Sequence, residues 1–199
     1  MREERVTTFH QGVPVAMVAA MATNRCIGYK DRLPWSIPQE MAYFKAAIKG
    51  KVLILGRKTY DEIGRWLQGN TLIVVSREFS WLNGHAKSAQ TVHEALTRAQ
   101  LIALEQGSSE IMVIGGEQIY TLFLPYTTRI YLTLLELDNI TGDAFFPPTP
   151  DFRIRQTKRR LLYRKDDESW VIALFRRYER LPGRPMLNID HLGRPQLKE

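Results

Sequence analysis

The chain has 199 residues, of which 44% are hydrophobic and 25% charged, and its formal net charge is +7. This composition is typical of a folded globular domain and excludes a disordered or collagen-like chain. The basic excess favours anionic partners, such as nucleic acid, acidic lipid, or small molecules with phosphate or carboxylate groups. The single cysteine, Cys26, excludes an internal disulfide. The first residues lack the apolar core of a signal peptide, so we expect a cytoplasmic protein.

The predicted elements alternate between strands and helices along most of the chain. An apolar run at 13–21 predicts a strand buried on both faces, and residues 22–36 predict a loop. The further predicted strands are 51–55, 71–76, 110–116 and 129–137, and the predicted helices follow Ser36, Gly56, Thr91 (to about Gly107) and Gly116. Two antiparallel strands are predicted near 155–164 and 169–180.

This order predicts an α/β fold in which helices flank a mostly parallel central sheet with an antiparallel C-terminal edge. We expect one domain over residues 13–180, a loose arm over 1–12 and a tail of unknown role over 181–199. Two spacings are typical of capping boxes at helix starts: Ser36 with Gln39, and Thr91 with Glu94.

One acid, Glu40, lies among apolar residues in the stretch DRLPWSIPQEMAYF. On a helix, Ile37, Met41, Phe44 and Ile48 share one face, and Glu40 lies about 60° from its centre, on the flank. A flanking glutamate can simply reach water or pair with a lysine. Alternatively, an apolar cleft can hold the carboxyl group and raise its pKa towards neutrality. Residue spacing alone leaves both interpretations open.

Six stretches indicate a known family. They are VAAMATNRCIGYKDRLPWSIPQEMAYFK, VLILGRKTYDEIGR, LIVVSRE, IMVIGGEQIY, IYLT and GDAFFP. In their order and spacing the chain resembles dihydrofolate reductase over about residues 13–180. The resemblance implies that the chain reduces 7,8-dihydrofolate, with hydride transfer to C6 and protonation at N5, and that it binds antifolate inhibitors.

The resemblance also implies which residues bind the substrate. Glu40 matches the acid that bonds the 2-amino group and N3 of the pterin, Thr133 matches its threonine partner, and Trp35 matches the tryptophan of a mobile loop. Without the resemblance, Thr133 is an ordinary strand residue and Trp35 an ordinary packing residue. The remaining positions implied for catalysis or for the pocket wall are Tyr120, Ala20, Leu33, Phe44, Leu67 and Ile114.

A hydride requires a cofactor, because no side chain supplies one. The chain has no GxGxxG fingerprint, but Gly56 and the pair Gly115-Gly116 follow predicted strands and precede predicted helices. By resemblance, Arg57, Lys58 and Thr59 reach phosphates, and Ser76 and Arg77 lie near an adenosine 2′-phosphate, which favours NADPH over NADH. The other cofactor positions implied are Ala20, Ile27, Gly28, Glu117, Gln118, Ile119 and Tyr120.

Three further points follow from the resemblance. The glycine pair is expected to contain a cis peptide bond. The loop 21–36, which contains Asn24, Gly28 and Leu33, is expected to cover the nicotinamide, with Gly142 and Asp143 on a partner loop. Gln118 departs from the arginine that many bacterial relatives carry.

A larger departure is Asn70, which occupies the position of the arginine that grips the α-carboxylate of the substrate's glutamate tail. Asparagine has no charge and cannot form a two-pronged bond to a carboxylate. Three hypotheses follow: Arg65 or Lys45 substitutes, the natural pterin has another tail, or the chain is an antifolate-tolerant variant.

Parts of the sequence also suggest two rival classes of protein. The related reductase of riboflavin synthesis shares the fold and NADPH but lacks the buried acid after Pro-Trp. A nucleic-acid-binding module is suggested by the basic residues of 153–180, although such a cluster on edge strands is usually a solvated face. We therefore expect a monomeric enzyme that binds neither nucleic acid, nor membrane, nor a metal ion.

Overall fold

The computed structural model describes residues 12–77 and 86–182, together with the backbone of 187–189 and 195–197. Its strands are β1 Val15–Met21, β2 Cys26–Gly28, β3 Val52–Gly56, β4 Thr71–Val75, β5 Ala86–Ala89, β6 Ile111–Val113, β7 Arg129–Leu135, β8 Ala144–Phe145, β9 Phe152–Tyr163, β10 Trp170–Arg180, β11 Leu187–Ile189 and β12 Pro195–Leu197. Its helices are α1 Pro38–Ile48, α2 Arg57–Ile63, α3 Val92–Glu105 and α4 Glu117–Phe123, and short 3-10 helices cover Gly64–Trp66 and Leu124–Tyr126.

Eight strands form the central sheet in the order β5-β4-β3-β6-β1-β7-β10-β9. The strands from β5 to β7 run parallel, whereas β10 pairs antiparallel with β7 and with β9. The predicted α/β class, with a mostly parallel sheet and an antiparallel C-terminal edge, is therefore confirmed.

The central strands are apolar throughout because helices cover both faces of the sheet. In β1, Val15 and Met17 pack into one hydrophobic cluster, which includes residues of α3 and α4. The intervening Ala16 and Val18 pack into a second cluster, which includes residues of α1 and α2. This alternation is the two-residue period of a strand, and it gives the domain a core layer on each side of the sheet.

The two predicted capping boxes have different outcomes. Thr91 caps α3 as predicted, since its side chain accepts a hydrogen bond from the Glu94 amide at 3.1 Å. The Ser36 cap is wrong: the residue before α1 is Ile37, and no side chain caps it. Ser36 instead contacts the β9–β10 turn, where its amide donates to Asp166 Oδ1 at 2.9 Å and its carbonyl accepts from the Lys165 amide at 2.9 Å.

Several short strands were not predicted. The expected loop 22–36 contains β2, which pairs antiparallel with β8, and β5 extends the sheet beyond β4. In the expected tail 181–199, β11 and β12 form an antiparallel pair. Of the expected arm 1–12, residues 1–11 lie outside the described residues. No described helix has the length and apolar character that a membrane crossing requires.

The carboxyl ends of the parallel strands meet at one edge of the sheet. Ala20 in β1 lies opposite Thr133 in β7, near the end of both strands. Gly56 ends β3, and Gly115 follows β6 by two residues. In parallel α/β sheets this edge is where ligands bind.

Candidate active site

Glu40 is buried in the first turn of α1, with 5% of its surface exposed. The sequence placed it on the flank of the apolar stripe, in which Met41 and Phe44 are only partly buried. Burial raises the pKa of the Glu40 carboxyl to about 7, and the nearby Thr133 hydroxyl opposes that rise. The structure therefore matches the second interpretation, an acid held in an apolar cleft with a pKa near neutrality.

Two buried polar atoms belong to residues that the sequence assigned to this site. Thr133 is fully buried, and its Oγ1 faces Glu40 without forming a hydrogen bond of normal geometry. Trp35 is 6% exposed, and its Nε1 has no hydrogen-bond partner among the described residues. Buried polar groups are rarely left unsatisfied. A ligand with donors and acceptors beside Glu40 would suit this chemistry.

The apolar residues predicted for the pocket wall divide between two clusters. Phe44 packs against the cluster that contains Leu67 and Ile114. Ala20 packs against a different cluster, which contains Trp35. Leu33 is 38% exposed, and it lines the cofactor cavity described below rather than either cluster.

The two glycine turns are in direct contact. The Gly115–Gly116 peptide bond is cis, as the resemblance implied. The Gly56 amide donates to the Gly115 carbonyl at 2.8 Å, which joins the ends of β3 and β6. A Cβ on Gly56 would lie 3.0 Å from Ile119, and one on Gly115 would lie 3.1 Å from Tyr120. Glycine at these two positions therefore leaves room for the Ile119 and Tyr120 side chains of α4.

A cavity of about 750 Å³ lies beside these turns. It brings together most of the predicted cofactor residues, namely Ile27, Gly28, Gly56, Arg57, Lys58, Thr59, Ser76, Arg77, Gly116, Glu117, Gln118 and Ile119. Its lining does not include three other predicted cofactor residues, Ala20, Gly115 and Tyr120. Gly115 nevertheless adjoins the cavity through its neighbour Gly116.

The sequence missed acidic residues of the cavity wall. Asp31 and Glu62 line it together with the predicted cations. Lys58 Nζ lies 3.0 Å from Asp31 Oδ1 in an exposed ion pair, a type of pair that contributes little to stability. Burial and then the Asp31 charge raise the pKa of Glu62. No spacing in the sequence relates the loop that carries Asp31 to helix α2, which carries Lys58 and Glu62.

Tyr120, predicted to be catalytic, is buried in α4. Its hydroxyl donates to the Val18 carbonyl at 2.7 Å, and its ring centroid lies 4.9 Å from that of Phe146. Burial, followed by the charge of Glu40, raises the pKa of the hydroxyl. This geometry fixes the ring beneath Gly115 and leaves the hydroxyl engaged with the backbone.

The loop 21–36 is held by the partner loop that the resemblance implied. The Asp143 amide donates to the Gly28 carbonyl at 3.0 Å, and the Lys30 amide donates to Asp143 Oδ2 at 2.9 Å. Asn24 Nδ2 donates to the Ile140 carbonyl at 2.8 Å. These bonds bring the loop to the cavity, where Gly28 and Leu33 form part of the wall.

Asn70 uses both ends of its side-chain amide within the protein. Its Oδ1 accepts from the Lys51 amide at 3.2 Å, and its Nδ2 donates to the Leu67 carbonyl at 3.2 Å. Asn70 and Arg65 also line a second cavity of about 700 Å³.

A cavity with cationic and hydroxyl groups at the carboxyl edge of a parallel sheet suits a phosphate-bearing dinucleotide, and the neighbouring buried acid suits proton transfer. Fold and site together define the class of nicotinamide-dependent reductases. The family model described as dihydrofolate reductase matches residues 14–180.

Several relatives agree with that match. The chain is 37% identical over 133 residues to dihydrofolate reductase type 3 of Salmonella typhimurium, covering 67% of this chain and 78% of that protein. It is 38% identical over 134 residues to dihydrofolate reductase of Neisseria meningitidis serogroup A, with the same two coverages. It is 31% identical over 169 residues to dihydrofolate reductase of Staphylococcus haemolyticus, covering 84% of this chain and 96% of that protein. The chain belongs to the dihydrofolate reductase family, as its motifs predicted.

Proposed function

We propose that the chain reduces 7,8-dihydrofolate to 5,6,7,8-tetrahydrofolate with NADPH. Family membership supports the reaction. The observation that carries the proposal is the Glu40 carboxyl, which is buried among apolar residues and has a pKa of about 7. Such an acid can hold or release a proton near neutral pH.

Glu40 binds and orients the pterin in this proposal. Its two carboxylate oxygens accept parallel hydrogen bonds from the 2-amino group and N3 of the ring. The negative charge then favours a proton at N5 of the substrate. Thr133 Oγ1, which faces the carboxyl group, favours its ionised form, and Trp35 Nε1 can hold a water molecule or a ligand atom close by.

The basic cavity would hold the cofactor. Arg57, Lys58 and Thr59 bind the diphosphate, and Ser76 with Arg77 binds the 2′-phosphate that distinguishes NADPH from NADH. When bound, the cofactor supplies the hydride for C6 of the pterin. Because Gln118 is neutral, the recognition of the 2′-phosphate would depend on Ser76 and Arg77.

The loop 21–36 excludes water in this proposal. Its bonds to Asp143 and Ile140 hold it over the cavity, so bulk solvent is kept from the reacting atoms. We further propose that the protein is a cytoplasmic monomer that does not bind nucleic acid.

The decisive experiment follows NADPH absorbance during incubation with dihydrofolate. We expect steady oxidation that Glu40→Ala abolishes and that Glu105→Ala, which removes an exposed carboxylate of α3, leaves unchanged. Salt-dependent retention on DNA without turnover would support the nucleic-acid module instead.

The cofactor preference has its own test. Arg77→Ala should lower the ratio of kcat/KM with NADPH to that with NADH by about tenfold, because one charged contact to the 2′-phosphate is lost. An unchanged ratio would show that Arg77 does not contribute to recognition of the 2′-phosphate.

The hypothesis of antifolate tolerance remains a second proposal. Asn70 supports it, because its amide is engaged by backbone groups and carries no charge for an inhibitor's carboxylate.

A further inference from the structure

The two edges of the central sheet differ in length and in charge. On one side the sheet ends with the four residues of β5, of which Lys87 is the only charged one. On the other side it ends with the twelve residues of β9, and the nine from 153 to 161 are all exposed. Since β9 pairs only with β10 among the described strands, its outer side presents peptide N–H and C=O groups to solvent.

The exposed stretch of β9 carries five cations and no acid, namely Arg153, Arg155, Lys158, Arg159 and Arg160. Within the described residues only Arg155 of this set forms an ion pair, with Glu179 of β10 at 2.9 Å. The other four lie beyond ion-pair distance of every described carboxylate. Because successive side chains of a strand point to opposite faces, Lys158, Arg159 and Arg160 place cations on both faces of this edge.

One face of the β9–β10 hairpin also exposes apolar side chains. Leu161 is 60% exposed and Trp170 is 63% exposed. Trp170 is paired across the hairpin with Tyr163, at 5.4 Å between ring centroids, and Tyr163 shares a face with Leu161 two residues away. Arg159 is the next residue of β9 on that face. An apolar patch with a cation beside it therefore lies next to the free edge.

These features suit an extended peptide better than a nucleic acid or a second copy of the chain. A peptide strand can pair its own N–H and C=O groups with the free edge, as in β-augmentation. A nucleic acid offers phosphates to the cations but no row of peptide groups to the edge. A second copy of β9 would place cations against cations, so like charges oppose pairing of two molecules through this edge.

We propose that β9 binds an acidic, extended segment of another protein, which adds a ninth strand to the central sheet. Carboxylates of that segment contact Lys158, Arg159 and Arg160, and one of its apolar side chains packs against Leu161 and Trp170. No residue of β9 lines the cofactor cavity, so binding at this edge is separable from catalysis.

The test measures the fluorescence anisotropy of a labelled acidic peptide, rich in glutamate and valine, in the presence of the purified full-length chain. Binding should weaken as salt rises, because exposed charges are screened. Arg159→Glu should weaken binding by about 10- to 100-fold, since an attractive contact becomes repulsive, and should leave NADPH oxidation unchanged. The matched control is Lys87→Glu, which reverses an exposed charge on the other edge strand and should leave binding unchanged.

A second peptide of the same charge, with alternate amides N-methylated, separates strand pairing from simple attraction between ions. Methylation removes N–H donors, so we expect its binding to be weaker by about tenfold or more. No binding of the first peptide, or equal binding of the two peptides, would overturn the proposal. Equally tight binding of a single-stranded oligonucleotide of the same charge would also overturn it, as would equal weakening by Lys87→Glu or a dimer that Arg159→Glu disrupts.

Discussion

Two buried glutamates occupy opposite edges of the central sheet and have opposite pKa shifts. Glu110 is 6% exposed and precedes β6, next to Lys51, which precedes β3, and Arg129, which begins β7. It accepts hydrogen bonds from Lys51 Nζ at 2.9 Å, from Tyr131 at 3.0 Å and from Arg129. Burial raises its pKa, but these partners outweigh burial, and the pKa lies below its ordinary value.

Glu40 is equally buried at the carboxyl edge, but no cation is among the causes of its pKa shift, which is upward. The comparison indicates that burial alone does not decide the direction in which the pKa of an acid moves. Its partners decide whether the carboxyl group is permanently ionised and structural, as at Glu110, or can gain and lose a proton, as at Glu40.

The largest expected effect is on catalysis. Glu40→Gln should reduce kcat by about 10²- to 10⁴-fold, because an amide can neither ionise nor favour a proton on the substrate. Glu110→Gln should leave kcat per folded molecule within about threefold, since Glu110 does not line the proposed cofactor cavity and lies at the opposite edge of the sheet from Glu40. Single-turnover NADPH oxidation measures both values, and similar losses would end the distinction between the two acids.

The second effect is on stability. Glu110→Gln should lower the free energy of unfolding by about 2–4 kcal/mol at neutral pH, because it leaves Lys51 and Arg129 without their shared partner. Urea unfolding followed by circular dichroism measures the loss. The control is Glu105→Gln, at an exposed position. If it lowers the free energy of unfolding as much, the hydrogen bonds and ion pairs of Glu110 are not the cause of the loss.

A third effect is the pH dependence of stability. Because the pKa of Glu40 is raised from 4.5 to about 7, the folded state holds the extra proton between these values, and its stability falls as pH rises through that window. Relative to Glu40→Gln, the unmodified protein should lose about 2–3 kcal/mol between about pH 5 and pH 8.5. Urea titrations at several pH values measure this loss. If the free energy of unfolding changes with pH in the same way in both proteins, the raised pKa of Glu40 is contradicted.

The smallest effect concerns Asn70, which joins the amino-edge network through the Lys51 amide. Asn70→Arg should strengthen inhibition by glutamate-tailed antifolates by about 3- to 10-fold and leave tail-free diaminopyrimidines unchanged, because only the former present a carboxylate. Equal changes in the two inhibition constants would show that position 70 acts through the fold rather than on the tail.

Local pattern was sufficient to predict much of the fold. Neighbouring residues alone predict the apolar strands β1, β3 and β4 and the Thr91 cap of α3, and the structure confirms them. The Ser36 cap failed because a contact more than a hundred residues away, with Asp166, engages its backbone. The strands β2, β5 and β8 have two to four residues each, too few to show a period.

In the candidate site, too, local features were predicted and those that depend on distant contacts were not. Motifs placed Gly56, Arg57 and Gly116 in one cavity because short motifs specify local backbone and charge. Helical spacing left the burial of Glu40 open between two interpretations, because burial depends on β1 and β7 packing over α1. Likewise, Lys45 of α1 contacts Trp66 of the first 3-10 helix only in the folded chain, and neither stretch of sequence alone predicts this contact.

The packing of Gly142 has a consequence for chemical labelling. A Cβ at this position would lie 2.2 Å from Cys26 Sγ, so the partner loop lies directly against the only thiol in the chain, which is fully buried. Alkylating reagents can reach that sulfur only when β2 separates from β8. The rate of Cys26 alkylation should therefore report how often the loop opens, and a bound dinucleotide should slow it.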